Sequence, residues 1–215
     1  MFADRMKALE TETPFEALAK AKALEKEGKR IIHLEIGEPD FDTPKNIKEA
    51  AEKAINAGYT HYTPSAGMLE LRQAVADYIS TTRKLDVKPE EVVITPGAKP
   101  VMFFSVLALV SPGDEVLYPN PGFPVYESVI KFVGAKPVPI PLKEENEFSF
   151  DPEYVKKRIT KKTKMIILNS PENPTGGVIP REQLKVIADC LENRDDVFVL
   201  SDEIYSRIIY EGKPE

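Results

Sequence analysis

Met165-Ile166-Ile167-Leu168-Asn169-Ser170-Pro171-Glu172-Asn173-Pro174-Thr175-Gly176-Gly177 is the stretch that decides the fold. Four apolar residues run directly into a segment rich in Asn, Pro and Gly. A short continuous apolar run bounded by turn residues reads as a strand covered on both faces. Such strands belong to parallel sheets flanked by helices. Downstream, Pro180–Leu191 carries Leu184, Ile187, Ala188 and Leu191 at helical spacing, and these are expected to face inward. Val197–Leu200 is the next strand, and it ends at Ser201-Asp202-Glu203-Ile204-Tyr205.

The same rhythm continues upstream. Glu115–Tyr118 reads as a strand, Pro124–Phe132 as a helix, and Lys136–Ile140 as a strand whose prolines suggest an edge or a bulge. Asp151-Pro152 opens another helix. Val92-Val93-Ile94 is a further β-branched run, expected to be a strand, which Thr95-Pro96-Gly97 turns into an apolar helix ending near Val110. Before it lie three helices. One starts at Thr13-Pro14 with Glu16 and stops at Gly28; one starts at Thr43-Pro44 and stops at Gly58. The third spans Met68–Ile79 with Leu71, Val75, Tyr78 and Ile79 on one face. Short apolar strands alternating with helices predict an α/β fold, three layers deep, with a mainly parallel sheet.

Composition bounds the function. The chain has 215 residues, of which 42% are apolar and 30% charged, enough for one large domain or two small ones with a real core. A net charge of −6 without a long basic cluster argues against nucleic acid as a partner. No apolar run reaches the length of about 18 residues that a membrane span needs. Met1–Glu10 is charged and has no apolar signal core, so a cytoplasmic location is expected. A single cysteine, Cys190, excludes an internal disulfide and a multi-cysteine metal site, and His33 and His61 lie too far apart in sequence to suggest a histidine-built zinc centre.

Ligands of open α/β sheets bind beyond the carboxyl ends of the strands. That points to the loops Thr95–Lys99, Asn120–Phe123, Asn169–Gly177 and Ser201–Tyr205. Thr95-Pro96-Gly97-Ala98-Lys99 leads into a helix N-terminus, where free N–H groups favour an anion and Gly97 allows close approach. An ordinary strand–helix turn explains it equally, and neither a Walker loop nor a Gly-x-Gly-x-x-Gly pattern is present. The prolines of Asn169–Gly177 make a rigid turn, which by itself is structural or aims an Asn amide at a ligand. Asp202, at a strand end, reads locally as a helix N-cap or as a site acid.

Taken together the pieces say more. Asn173-Pro174-Thr175-Gly176 followed by Ser201-Asp202-Glu203-Ile204-Tyr205, with one helix and one strand between, resembles the class I/II aminotransferases of pyridoxal-phosphate fold type I. Gly37-Glu38-Pro39-Asp40-Phe41, His61-Tyr62-Thr63-Pro64-Ser65-Ala66-Gly67 and Pro119-Asn120-Pro121-Gly122-Phe123-Pro124 fall where that family has equivalents. The resemblance covers nearly the whole chain and is strongest to the archaeal and bacterial aspartate aminotransferase branch.

The resemblance implies pyridoxal phosphate as cofactor, with amino acids and 2-oxo acids as substrates. It implies that Asp202 pairs with the protonated ring nitrogen, that Asn173 and Tyr205 hydrogen-bond the ring's phenolic oxygen, and that Phe123 stacks on the ring. Gly97 and the amides of Ala98 and Lys99 would cradle the phosphate. Tyr62 would reach the phosphate of a neighbouring subunit, implying a homodimer with shared active sites. Gly37 and Asn173 would lie near the substrate. A lysine at position 99 can meet a distal carboxylate in the acidic-substrate branch, so an aspartate or glutamate donor is favoured, although a solvated helix-start lysine is the plainer reading of Lys99.

The family places its Schiff-base lysine after the Ser-Asp-Glu-Ile-Tyr segment, and Lys213 does not fit the pattern. The chain is therefore expected to be an N-terminal half, with a sheet incomplete on its C-terminal side, open strand edges prone to association, and no transamination by itself. Residues 1–45 would belong to an arm and small domain, and 46–215 would begin the large cofactor domain. Two other readings stay open: a carbon–sulfur lyase of the same fold, and a non-catalytic binding or regulatory module that keeps the fold.

Overall fold

The computed structural model describes residues 2–9 and 13–208. Two compact units are present, one of residues 1–12 and 98–215 and one of residues 13–97.

The first unit is built on a parallel sheet. Its strands are β1 (Glu115–Asn120), β2 (Lys136–Pro141), β3 (Thr163–Asn169) and β4 (Phe198–Asp202), in the spatial order β2-β1-β3-β4. Every strand pair in it is parallel. Successive side chains on a strand point to opposite faces. Val116 and Tyr118 of β1 and Met165 and Ile167 of β3 therefore enter one core, together with Met102, Val106, Tyr126, Val129 and Ile130. Leu117, Ile166 and Leu168 enter a second core on the other face with Val155 and Ile187. The first face is covered by α4 (Ala98–Leu109) and α5 (Val125–Phe132), and the second by α6 (Pro152–Arg158) and α7 (Arg181–Leu191). Three layers result, as expected. Each fully buried Val, Leu, Ile or Met contributes about 1.5–3 kcal/mol to holding them together.

Prolines shape the sheet at two places. In β2 the even-numbered N–H groups face β1: Lys136 N donates to Asp114 O and Leu142 N to Asn120 O, both at 2.8 Å. Pro137, Pro139 and Pro141 thus present their missing donors to the open edge, so β2 is an edge strand, as its composition predicts. In β1 the opposite parity faces β3. Pro119 lies on that side and cannot donate, and the β1–β3 pairing ends at Leu117 opposite Ile166. The two central strands separate there. The chain leaves β1 over one face through α5 and leaves β3 over the other through α7, so this gap is the switch point where α/β sheets open a crevice.

Two inward-face expectations are corrected. Along α7 only Ile187 is fully buried; Leu191 is half-buried, while Leu184 and Ala188 are exposed. Among the described residues β4 is paired on one side only, so the outer part of that apolar stripe has no sheet beneath it. Phe198 and Val199 of β4 are exposed for the same reason.

The second unit holds α1 (Thr13–Lys26), α2 (Lys45–Asn56) and α3 (Leu69–Arg83). Helix α2 starts one residue later than its Thr-Pro signal suggests, with Pro44 at the N-cap. Helix α3 runs a turn beyond Ile79, and its fully buried residue is Ala76, whereas Leu71 and Tyr78 are exposed. Val92–Ile94 is not a strand. A β-branched run becomes a strand only when a neighbour satisfies its backbone, and here the one such link is Ile94 N to Ala66 O at 3.0 Å. The Arg72 guanidinium anchors this segment on Pro89 O (2.7 Å) and Val92 O (3.1 Å). No helix among the described residues is long and apolar enough to cross a membrane.

Candidate functional site

Phe123 follows β1, Asn169 ends β3, Asn173 lies in the loop after it, and Asp202 ends β4. The register places Asn169 directly opposite Asp202, because β3 and β4 pair in step from Met165–Phe198 onward. The parallel sheet thus gathers its carboxyl ends at one place, and side chains link them.

Asn169 is the hub. It is buried, its Nδ2 donates to Asp202 O at 2.9 Å, and its Oδ1 accepts from Asn173 N at 2.9 Å. One side chain thereby sets the spacing between the strand-end acid and the Asn-Pro-Thr-Gly loop. Asn173 Nδ2 lies 3.5 Å from Tyr205 Oη. Asp202 is half-buried, and its two oxygens are differently engaged. Oδ2 accepts from Tyr126 Oη at 2.8 Å, and Oδ1 accepts more loosely from Ile204 N at 3.3 Å. The acid therefore acts as neither the helix N-cap of its plainer reading nor a group turned out to bulk water. Tyr126 is fully buried in α5, and burial, followed by the negative charge of Asp202, pushes its phenol up and keeps it a neutral donor. Its ring meets Phe123 edge-on at 5.7 Å between centroids, and the Lys99 ammonium lies 5.9 Å from the centre of the Phe123 ring.

The Asn-Pro-Thr-Gly loop closes on itself. Glu172 N donates to Gly177 O at 2.9 Å and Gly176 N to Glu172 O at 2.8 Å. Gly177 is required there, since a Cβ would come within 2.8 Å of Phe148 O. The peptide bonds Asn120-Pro121, Ser170-Pro171 and Asn173-Pro174 are cis.

Of the expected site residues, Asp202, Asn173, Tyr205, Phe123, Lys99 and Ala98 are in the first unit, and the contacts above connect all of them except Ala98, the first residue of α4. Gly37, Tyr62 and Gly97 belong to the second unit. There Tyr62 is exposed, and Gly97 adopts φ +91°, the left-handed conformation that suits a turn into a helix. Its carbonyl accepts from Thr95 Oγ1 at 2.6 Å. Lys213 lies outside the described residues. His33, read as structural, bridges Glu25 (2.9 Å) and Glu35 (2.6 Å) and is held in its charged form by those two hydrogen bonds.

Asn169, Tyr126 and Glu172 were not singled out from the sequence. Asn169 had a signal, as the polar residue ending a buried strand. Tyr126 and Glu172 had none, because a tyrosine in an apolar helix and a glutamate in a turn are ordinary.

The chemistry of this set is specific: a strand-end carboxylate backed by a buried phenol, an amide and a second phenol beside it, an aromatic ring nearby, and a helix whose N-terminal residues are Ala98 and Lys99. It fits a flat cationic heterocycle with an anionic arm. Comparison with known proteins agrees. The family model for aminotransferase class I and II matches residues 29–215. An aspartate aminotransferase of Pyrococcus horikoshii is 49% identical over 181 residues, which is 84% of this chain and 46% of that protein. A protein of Aquifex aeolicus named as a probable aspartate/prephenate aminotransferase is 44% identical over 97% of this chain and 52% of its own length. The structure of Thermus thermophilus aspartate aminotransferase with maleate superposes with a TM-score of 0.94 at 39% identity, covering 99% of this chain and 56% of that one. The chain spans about half the length of the relatives it matches. Sheet order, strand-end acid and Asn-Pro-Thr-Gly loop thus agree with sequence identity, and the chain belongs to the class I and II aminotransferases, a family that works with pyridoxal phosphate.

Proposed function

We propose that the complete protein carrying this chain moves an amino group between an acidic amino acid, aspartate or glutamate, and a 2-oxo acid. The observation that carries this reading is the linked set Tyr126–Asp202–Asn169–Asn173–Tyr205 at the carboxyl ends of β3 and β4. Pyridoxal phosphate held there supplies an electron sink for the bond broken at the substrate Cα.

The residues divide the work. Asp202 holds a proton on the ring nitrogen by charge and hydrogen bonding, which keeps the ring electron-withdrawing. Tyr126 keeps that carboxylate aimed. Asn173 and Tyr205 serve the phenolic oxygen, and Phe123 offers its face to the ring. Gly97, Ala98 and Lys99 receive the phosphate, with Tyr62 contributed from a second subunit. Gly37 and Asn173 orient the substrate, and Lys99 meets its distal carboxylate. Similarity to proteins named for aspartate supports the acidic donor. The cofactor-bearing lysine is placed beyond Glu215, so the 215-residue chain alone is proposed not to turn over. A cytoplasmic homodimer completes the reading, with residues 1–45 contributing to a small domain and 46–215 beginning the large one.

The test is turnover of aspartate with 2-oxoglutarate by the full gene product and by Asp202→Asn. Loss of one preorganised electrostatic partner predicts a fall in kcat of about 10²–10³-fold. Unchanged turnover in the variant, or release of ammonia and pyruvate from cystathionine in place of glutamate formation, would overturn the proposal, as would steady turnover by the 215-residue chain.

A further inference from the structure

Glu172 is a buried carboxyl that the proposed chemistry does not use. Its residue is 5% exposed. Oε2 accepts from Thr175 Oγ1 at 3.2 Å and from Thr175 N at 3.5 Å, while Oε1 is buried without a hydrogen-bond partner. The side chain lines a cavity of about 10 Å³ in the gap where the β1–β3 ladder has ended at Pro119. That volume suits about one water molecule. Around Glu172 the lining includes Ile140 of β2, Leu142 and Phe150 beyond it, Ile167 of β3, and Ile179 before α7, all apolar. The titratable neighbours are Asp202 on β4 and Tyr126 on α5, and neither is a cation. An ionised carboxylate here would be a desolvated charge with one oxygen unserved, close to a second negative charge, which costs several kcal/mol. A neutral acid has an O–H to donate into the cavity.

We propose that Glu172 is a positioning residue that works as a neutral acid, holding one water in the switch-point cavity through Oε1 and the Asn-Pro-Thr-Gly loop through Oε2, so that Asn173 stays aimed at the cofactor site. The loop role rests on the functional reading above; the protonation does not. The carboxyl oxygens tie residue 172 to Thr175, and the backbone of Glu172 pairs with Gly176 and Gly177. Asn173, adjacent in the chain, is held by Asn169. Burial, reinforced by the charge of Asp202 and opposed by the Thr175 hydrogen bonds, pushes the carboxyl up from 4.5 to about 7. The folded state therefore binds an extra proton between those two values. Stability falls as pH rises through that window and levels off above it. Ionisation near neutrality would loosen the loop and weaken cofactor binding.

The experiment compares the full gene product with Glu172→Gln, which keeps the shape and stays neutral. Without cofactor, the wild-type melting temperature should fall from pH 5 to pH 8 relative to the Glu172→Gln variant, and the variant should match or exceed wild type at pH 8. The ratio of pyridoxal phosphate dissociation constants, wild type over variant, should rise about tenfold between pH 6 and pH 8, as loss of one interaction of that size implies. Parallel pH–stability curves would overturn the proposal, as would an infrared difference spectrum at pH 6 lacking the carbonyl stretch of a protonated carboxyl. Divergent stability curves with a constant affinity ratio would overturn the positioning role. If neither protein binds the cofactor while the curves diverge, the functional reading fails and the neutral acid stands. Should the Glu172→Gln variant not fold, a ¹³C-carboxyl NMR titration of the wild type decides: one glutamate titrating near neutrality supports the proposal, and none above about pH 6 refutes it.

Discussion

Tyr126→Phe isolates one interaction. The ring is fully buried, so Phe keeps its packing against the core and the edge contact with Phe123, and only the hydroxyl is lost. That hydroxyl lies 2.8 Å from Asp202 Oδ2 and is the closer of the two donors to the carboxylate. A hydrogen bond to a charged group contributes about 1.5–3 kcal/mol net. Asp202 is half-buried, so water replaces part of the loss and the lower end applies, about 1.5 kcal/mol or roughly tenfold in affinity. The assay is the dissociation constant of pyridoxamine phosphate, which has no aldehyde to react with a lysine, in the full gene product. Wild type, Tyr126→Phe, Asp202→Ala and the double variant close a cycle. Tyr126→Phe is expected to weaken binding about tenfold when Asp202 is present and to have little effect when it is Ala, the coupling being about 1.5 kcal/mol. An equal loss in both backgrounds would mean that the phenol acts through something other than the carboxylate, and no loss in either would mean that it does not position the acid.

Two further outcomes test the scaffold. Glu115 is buried at the start of β1, and hydrogen bonds from Thr160 Oγ1 (2.7 Å) and Lys136 Nζ (2.9 Å) hold its carboxyl below the ordinary 4.5. Its stabilisation is present above that value and lost as pH falls through the lower folded value, so Glu115→Gln should flatten the acid limb of the pH–stability curve while leaving the slope above about pH 5 unchanged. Gly177→Ala would bring a Cβ within 2.8 Å of Phe148 O and 3.0 Å of Glu147 O, and displacing that backbone should cost about 1–3 kcal/mol, read as a lowered melting temperature.

Much of the first unit is legible residue by residue. Apolar runs such as Met165–Leu168 have too few polar positions to face water on either side, which demands helices above and below. The prolines of Lys136–Pro141, spaced by two, permit only an edge strand, because their missing donors all point one way. Asp151 announces α6, and its Oδ1 indeed accepts from Glu153 N at 2.9 Å. Val92–Ile94 misleads because β-propensity is a property of a residue, whereas a strand is a property of a pair. The apolar stripe of α7 misleads for a related reason: periodicity shows which side of a helix is apolar, and the neighbouring layer decides how much of it is covered.

By itself the sequence determined the layer order, the parallel sheet, the strand-end position of Asp202 and the family motifs, since periodicity, turn chemistry and short spacings are local. Only the tertiary structure decided that the β1–β3 ladder stops at Pro119, that Asn169 stands opposite Asp202, that a phenol 76 positions away supports the acid, and that Glu172 is enclosed beside it. Those facts depend on register and on which strands are neighbours. Register is fixed by pairing between distant segments, and burial of a charge is fixed by everything that surrounds it, so neither can be read from residues adjacent in the chain.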